Sequence, residues 1–360
     1  MPANLDVVVI GGGQAGLATA YFLRRAGLDY LVLDNQSAPG GAWRHTWDSL
    51  HLFSPAQWSS LPGWQMPVTH DTYPSRNEII HYLARYEERY HIPVRRPVHV
   101  KTVSRVQGGL LVSTDHGEWI ARAVVSATGN WSAPYVPDYP GREIFRGRQM
   151  HSAQYRNSDD LRGQSVLVVG GGNSGAQILA EVSTICDVTW VTLQEPVFLP
   201  DDVDGRVLFE RATAKWHALR DGHTMTVPIG GLGDIVMVPP VRDARARDVL
   251  HAVRLFSRFD TDGVVWSDGT HSRINVVIWC TGFRPALKHL DPLQICDADG
   301  LPRTDGTHAR DEERLWLVGY GEWCGAASAT LIGVMRSARD AAGNIAQYLR
   351  PIQPRSTSAP

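Results

Sequence analysis

Two stretches carry glycines at a spacing suited to one chemistry, the cradling of a pyrophosphate. Gly11-Gly12-Gly13-Gln14-Ala15-Gly16 follows the apolar run Asp6-Val7-Val8-Val9-Ile10, and Gly170-Gly171-Gly172-Asn173-Ser174-Gly175 follows Ser165-Val166-Leu167-Val168-Val169. Both read G-x-G-x-x-G between a predicted buried strand and a predicted helix, the setting in which this pattern holds a dinucleotide. Backbone N–H groups at the positive end of a helix must face the phosphates. Gly11 and Gly170 permit the sharp turn out of the strand. Gly13 and Gly172 let the pyrophosphate approach the backbone, and Gly16 and Gly175 let the helix pack on the strand. Gln14, Ala15, Asn173 and Ser174 share these turns and join the candidate contacts. A single run of this kind is often only a turn; two in one chain point to two dinucleotides and electrons passing between them.

Each unit should lead to a second strand that ends at the adenosine ribose. Tyr30-Leu31-Val32-Leu33 ends in Asp34, about 20 residues past the first fingerprint, where a carboxylate accepts from ribose hydroxyls. The first site therefore fits FAD or NAD. In the second unit Val188-Thr189-Trp190-Val191-Thr192 runs into Leu193-Gln194-Glu195. No acid stands at the strand end itself, although Glu195 is close, and no Arg or Lys stands there to grip a 2′-phosphate. Gln194 lies at the deciding position, and the choice between NADH and NADPH stays open.

The elements that must position these turns read as an α/β chain of two Rossmann-like dinucleotide-binding domains. Residues 1–157 and 284–350 form a split first domain, and 158–283 form a nicotinamide domain inserted into it, itself carrying an insertion near 195–252. Asn77–Tyr90 has helical periodicity, with Ile79, Ile80, Leu83 and Tyr86 on one face. Short strands are expected at 98–100, 110–113 and 119–122, the last two joined by the turn Asp115-His116-Gly117. Ala123–Ser126 leads into Ala127-Thr128-Gly129, Val276–Cys280 into Thr281-Gly282-Phe283, and Leu315–Tyr320 into Gly321. A final helix is expected over Ser328–Leu349. The Trp- and Pro-rich stretch 40–67 is too irregular for a regular element. The insertion, with its Gly and Pro clusters, reads equally as a functional lid or as surface decoration. The polar tail 351–360 is expected to be disordered.

Composition narrows the function classes. The 360 residues suffice for two cores, and a net charge of −2 gives no footprint for nucleic acid. The basic residues are nearly all Arg; the lysines are Lys101, Lys215 and Lys288. No run is long enough to span a membrane, and the first apolar stretch is a short strand rather than a leader, so a cytoplasmic protein is expected. Cys186, Cys280, Cys296 and Cys324 form no C-x-x-C, the fourteen His no H-E-x-x-H, and no G-x-S-x-G is present. No metal site is expected.

These residues resemble the two-dinucleotide flavoproteins and, within them, the flavin-containing monooxygenases. The most specific mark is Phe145-Arg146-Gly147-Arg148-Gln149-Met150-His151-Ser152-Ala153-Gln154-Tyr155, which fits the family's F-x-G-x-x-x-H-x-x-x-(Y/F) signature just ahead of the second glycine motif. Related Baeyer–Villiger enzymes carry Trp-Pro after the His spacer; here Tyr155-Arg156 follows. Supporting marks are Pro39-Gly40-Gly41-Ala42-Trp43, Ala127-Thr128-Gly129 and Thr281-Gly282-Phe283. The chain looks closest to compact bacterial class B members, some of which accept either nicotinamide.

The resemblance implies an enzyme in which NADH or NADPH reduces FAD, and O₂ then yields a C4a-(hydro)peroxyflavin. That species oxygenates small sulfides or amines, and ketones as the peroxide. A homodimer is implied as well. Carried over residue by residue, Gly41, Trp43, His51, Leu52, Thr128, Gly129, Thr330 and Leu331 join the FAD set, and Gln194, Thr281 and Gly282 the NAD(P)H set. His51 reads equally as a structural hydrogen-bonder, and His151 as a linker residue at the domain junction rather than a base. One departure concerns the family's flavin-side Asn. Aligning Leu61-Pro62 with the family's Phe-Pro puts Phe53 at that position, with Gln57 nearby in the same flavin-facing loop. Phe donates no hydrogen bond, so poor coupling of electrons to product is expected. Two other readings use the same turns: a quinone or disulfide reductase, the disulfide form weakened by the missing C-x-x-C and both by the Phe145–Tyr155 mark, and a redox sensor holding FAD as a structural ligand.

Overall fold

The computed structural model describes residues 3–68, 71–220, 234–325 and 327–350. In the first sheet, β1 (Ala3–Ile10) is an interior strand, flanked in parallel by β2 (Tyr30–Leu33) and by the long β6 (Glu118–Ser126). Beyond β2 lies β3 (Val94–Arg95); β4 (Val100–Val106) and β5 (Gly109–Thr114) form a hairpin joined to β6. Side chains of β1 alternate between two cores. Val7 and Val9 face one with Leu17, Ile79, Leu83 and Ile345, while Val8 and Ile10 face the other with Leu33, Val103 and Leu290. A strand buried on both faces needs an unbroken apolar run, which β1 supplies.

The second sheet is parallel, in the order β10-β9-β8-β14-β7. Its strands are β7 (Arg148–His151), β8 (Ser165–Val169), β9 (Asp187–Val191), β10 (Ala252–Val253) and β14 (Val276–Trp279). Val166 and Val168 face one core with Ile178 and Ile278; Leu167 and Val169 face another with Val277, Trp279 and Phe259. Between β10 and β14 the chain adds a small antiparallel sheet, β11 (Arg258–Asp260), β12 (Gly263–Val265) and β13 (His271–Arg273), which the sequence reading did not anticipate. The chain then returns to the first sheet through β15 (Thr304–Asp305), β16 (His308–Ala309) and β17 (Leu315–Leu317), the last parallel to β6.

The helices follow from local signals. α1 (Gln14–Arg25) and α3 (Asn173–Val182) leave the two glycine turns. α2 (Arg76–Arg89) starts at a capping box, Ser75 and Glu78 each accepting from the other's backbone N–H. Its buried Tyr82 and Tyr86 hold the Trp-rich stretch: Tyr82 Oη donates to Trp64 O at 2.6 Å and Tyr86 Oη to Pro62 O at 2.6 Å. That stretch contains two short 3₁₀ turns, Gly41–His45 and Ala56–Trp58.

Several expectations need correction. Residues 118–126 are one strand; Arg122, which broke the apolar pattern, points outward to Asp6 Oδ1 at 2.9 Å. The strand expected from Val98 begins at Val100. The final helix, α6, spans Val334–Leu349 rather than starting at Ser328. The insertion is partly regular, since it forms α4 (Gly205–Arg220) and α5 (Pro239–Ala246). Its Gly-rich part at 221–233 and the tail at 351–360 lie outside the described residues. Strand β7, which the division at 157/158 placed in the first unit, pairs with β14 in the second sheet.

Candidate dinucleotide sites

At the first turn Gly11 has φ +109°, and a Cβ there would stand 2.4 Å from Ala127 O; a Cβ at Gly16 would stand 1.8 Å from Gly11 O. Only glycine permits this approach of helix to strand. Gly13 caps α1 with extended backbone and no side-chain bond, so no cap side chain competes for the first amides of the helix, which suit an anion. Gly41 lies directly on this turn: a Cβ on it would be 2.7 Å from Gly13 Cα. The Gln14 side chain is a brace, accepting from Trp43 Nε1 at 3.0 Å and donating to Ala329 O at 2.8 Å. The side chains of Gln14 and Trp43, both in the expected FAD set, thus bond to each other. Ala15 is buried behind the turn.

Asp34 stands at the end of β2 with its carboxylate engaged by a cation. Its side chain is only 4% exposed and accepts from Arg96 Nε at 2.7 Å. Arg96 in turn grips Glu87 with both terminal nitrogens, each at 2.7 Å. Asp34 Oδ1 accepts from Gln36 N at a long 3.4 Å. The sequence reading missed Arg96. β3 brings it in by pairing Arg95 with Leu33, and nothing local to Arg96 signals that.

Thr128, after β6, belongs to a buried polar knot. Its Oγ1 donates to Ala286 O at 2.8 Å and lies 2.7 Å from Tyr320 Oη; Tyr320 Oη also meets Ser126 Oγ, which meets His289 Nε2 at 2.9 Å. Burial pushes the Tyr320 hydroxyl up to about 12 and the His289 imidazole down to about 4, so the knot is uncharged at neutral pH. Gly129 follows at φ +65° with open space where a Cβ would stand. Thr330 Oγ1 donates to Ala327 O and accepts from Gly333 N, closing the turn before α6, while Leu331 and Leu52 are buried in the first core. His51 sits against Ser49 O and pairs with Asp71 Oδ2 at 3.6 Å at the surface, which favours its structural reading. Phe53 is half-buried on the start of α4: its O accepts from Gly205 N at 2.6 Å, and a Cβ on Gly205 would stand 2.7 Å from its ring. Gln57 is exposed.

The second turn repeats the first. Gly170 has φ +134°, a Cβ at Gly175 would stand 2.2 Å from Gly170 O, and Gly172 caps α3 without a side-chain bond. Trp190 Nε1 donates to Gly170 O at 2.8 Å. Asn173, expected to contact the nucleotide, has its side chain taken up elsewhere. It donates to Asp234 O at 2.8 Å and accepts from Val236 N at 2.9 Å, fastening the insertion to the turn. Ser174 is half-buried and Gln194 exposed. Thr281 Oγ1 donates to Tyr135 O, and Gly282 O accepts from Tyr135 N at 2.9 Å. The expectation that no cation stands at the end of β9 also fails: Arg254 reaches Glu195 Oε2 at 3.5 Å.

The Phe145–Tyr155 signature proves architectural. Phe145 is buried 5.2 Å from Phe259, and a Cβ on Gly147 would stand 2.6 Å from Asn275 O. His151 ends β7, lies 2.9 Å from Gly282 O and is held below its ordinary pKa by burial. Tyr155 Oη donates to Glu181 Oε1 at 2.8 Å, and Ser49 Oγ donates to the same carboxylate, tying the Trp-rich stretch to α3. Among the described residues no cluster of His, Cys, Asp or Glu could hold a metal, and no helix is long and apolar enough to cross a membrane.

One mixed and one parallel sheet, each with a parallel strand turning through glycines into a helix whose N-terminus lacks a side-chain cap, define a two-dinucleotide-binding fold. Residues 8–206 match the family model described as pyridine nucleotide-disulphide oxidoreductase. A flavin-containing monooxygenase from Stenotrophomonas maltophilia is 52% identical, with a TM-score of 0.89, covering 97% of this chain and 100% of its own. Oxidoreductase CzcO of Bacillus subtilis is 32% identical over 285 residues, 78% of this chain and 82% of its own. Indole-3-pyruvate monooxygenase YUCCA1 of rice (Oryza sativa subsp. japonica) is 28% identical over 312 residues, 77% of this chain and 76% of its own. The chain belongs to the pyridine nucleotide-disulphide oxidoreductase family and, within it, to the flavin-containing monooxygenases of the compact bacterial kind. It is therefore an oxidoreductase whose family chemistry uses FAD, reduced nicotinamide and O₂.

Proposed function

We propose that this monooxygenase inserts one oxygen atom into soft nucleophiles, sulfides first and amines and ketones besides, and accepts either NADH or NADPH. The observation that carries the reading is the pair of glycine cradles, both shaped for a pyrophosphate, in a chain 52% identical to a flavin-containing monooxygenase. Tyr155-Arg156 in place of the Trp-Pro of Baeyer–Villiger relatives puts sulfides ahead of ketones. When bound, FAD supplies the oxygen-activating chemistry and the nicotinamide the hydride.

The chain's own residues hold and orient. The first amides of α1, Gly13 and Gly41 would face the FAD pyrophosphate, with Asp34 on its ribose; the first amides of α3 and Gly172 would face the nicotinamide dinucleotide. Thr128-Gly129 and Thr281-Gly282 end the strands next to the two cradles, and the Gln14–Trp43 brace fixes the loop above the first. Placement and exclusion of water, rather than side-chain acid–base work, form the protein's contribution. Phe53 leaves the flavin side without the family's amide donor. The same reading assigns 1–157 and 284–350 to FAD and 158–283 to the nicotinamide, with the boundary moved ahead of β7, in a cytoplasmic homodimer acting on small molecules.

Turnover of NADH and NADPH with methyl phenyl sulfide, in air and under nitrogen, tests the reading. Sulfoxide formation and nicotinamide oxidation should both stop without O₂. Unchanged anaerobic turnover with a quinone or disulfide acceptor would favour the reductase reading instead.

A further inference from the structure

The end of β9, which looks bare of charge in the sequence, carries a charge pair in the folded chain. β10 runs parallel to β9 with Val253 beside Val191, and Thr192 N donates to Val253 O at 2.9 Å. This pairing delivers Arg254 to the loop that leaves β9. Its Nη2 lies 3.5 Å from Glu195 Oε2 and its Nη1 3.5 Å from Leu193 O. The strand-end residue itself is neutral and buried: Thr192 packs against the second glycine turn, its methyl 3.4 Å from where a Cβ of Gly171 would stand. In a Rossmann unit this is where the adenosine ribose lies, and where a carboxylate selects the 2′-hydroxyl or an Arg selects the 2′-phosphate. Here the two selectors are paired with each other. Their side chains are 63% and 79% exposed, so the ion pair adds little to the fold and opens easily.

We propose that Arg254 and Glu195 form a switchable discriminator for the nicotinamide dinucleotide. Arg254 leaves Glu195 for a 2′-phosphate when one is present, and Glu195 accepts from the 2′-hydroxyl when it is not. The inference rests on the second glycine site holding the nicotinamide dinucleotide. A phosphate presents more charge than a carboxylate and fits the guanidinium fork, but Glu195 repels it and competes for its partner. A 2′-hydroxyl offers a proton that Glu195 can accept, but Arg254 competes for that carboxylate. Each selector thus blunts the other, which accounts physically for acceptance of both dinucleotides.

The test is isothermal titration of the FAD-loaded protein with adenosine 2′,5′-bisphosphate and with AMP, which differ only at the 2′ position. Arg254→Gln should weaken the bisphosphate at least tenfold and leave AMP within twofold. Glu195→Gln should move oppositely, tightening the bisphosphate severalfold and weakening AMP. Both side chains are exposed, so folding is not at risk, and the opposed directions exclude a general loss of structure. If neither variant changes the ratio of the two affinities while both ligands bind, the inference fails and the nucleotide site stands. If neither ligand binds the unmodified protein, the inference falls together with the reading of the second site.

Discussion

Acidification should unfold this protein partly through one residue, His289. The residue is 7% exposed, its ring lies 2.9 Å from Ser126 Oγ, and it shares the knot with Tyr320 and Thr128. Burial first, and the nearby His99 second, hold it down to about 4, against 6.5 for an ordinary histidine. The sign follows from linkage: the folded state keeps His289 neutral, while the unfolded chain takes up a proton below 6.5. Stability from this group is fully present above 6.5 and is lost as pH falls toward 4. About 2.5 pH units at about 1.36 kcal/mol each gives a total of roughly 3 kcal/mol, most of it lost between pH 7 and 4.5. Urea unfolding of the wild type and of His289→Gln at pH 7, 5.5 and 4.5 separates this effect from carboxylate titration, which both proteins share. His289→Gln should be less stable at pH 7 and should close most of the gap by pH 4.5. Parallel loss in the two proteins would show that His289 is not the buried neutral group described.

Other perturbations follow from the sites. Arg96→Ala strands Asp34 and Glu87 without their cation and should cost about 3–5 kcal/mol in urea unfolding, with FAD lost on gel filtration; Arg96→Lys should recover part of both, and an unaffected Arg96→Ala would contradict the ion-pair account. Gly175→Ala, which drives a Cβ to 2.2 Å from Gly170 O, should abolish NADP⁺ binding in titration while the protein stays yellow; loss of flavin in its place would merge the two sites. Phe53 should make coupling leaky, so peroxide released per NAD(P)H consumed with a sulfide present should be substantial and should fall in Phe53→Asn; near-zero peroxide in the wild type would refute this role.

The glycine turns and their feeding strands were legible because strands buried on both faces must be continuous apolar runs, and Val7–Ile10 and Val166–Val169 are such runs. Strand β7 was not, because Arg148-Gln149-Met150-His151 is an edge with one neighbour and needs less apolar surface. Pro239-Pro240, within the insertion read as irregular, opens α5, where a missing N–H costs nothing. The site residues divide in the same way. The place of Asp34 at the end of β2 was legible from its spacing, while Arg96 and Arg254 reach Asp34 and Glu195 through strand pairings that no local pattern encodes. Asn173 misled because a fingerprint position says where a side chain starts, not which partner takes it; the insertion's backbone does.

The central claim is oxygen transfer where two dinucleotides meet, and isotope labelling tests it most directly. Turnover of methyl phenyl sulfide with NADPH under ¹⁸O₂ in ordinary water should give sulfoxide carrying one ¹⁸O atom per molecule. Sulfoxide bearing only ¹⁶O, or NADPH consumed with no oxygenated product at all, would contradict the account.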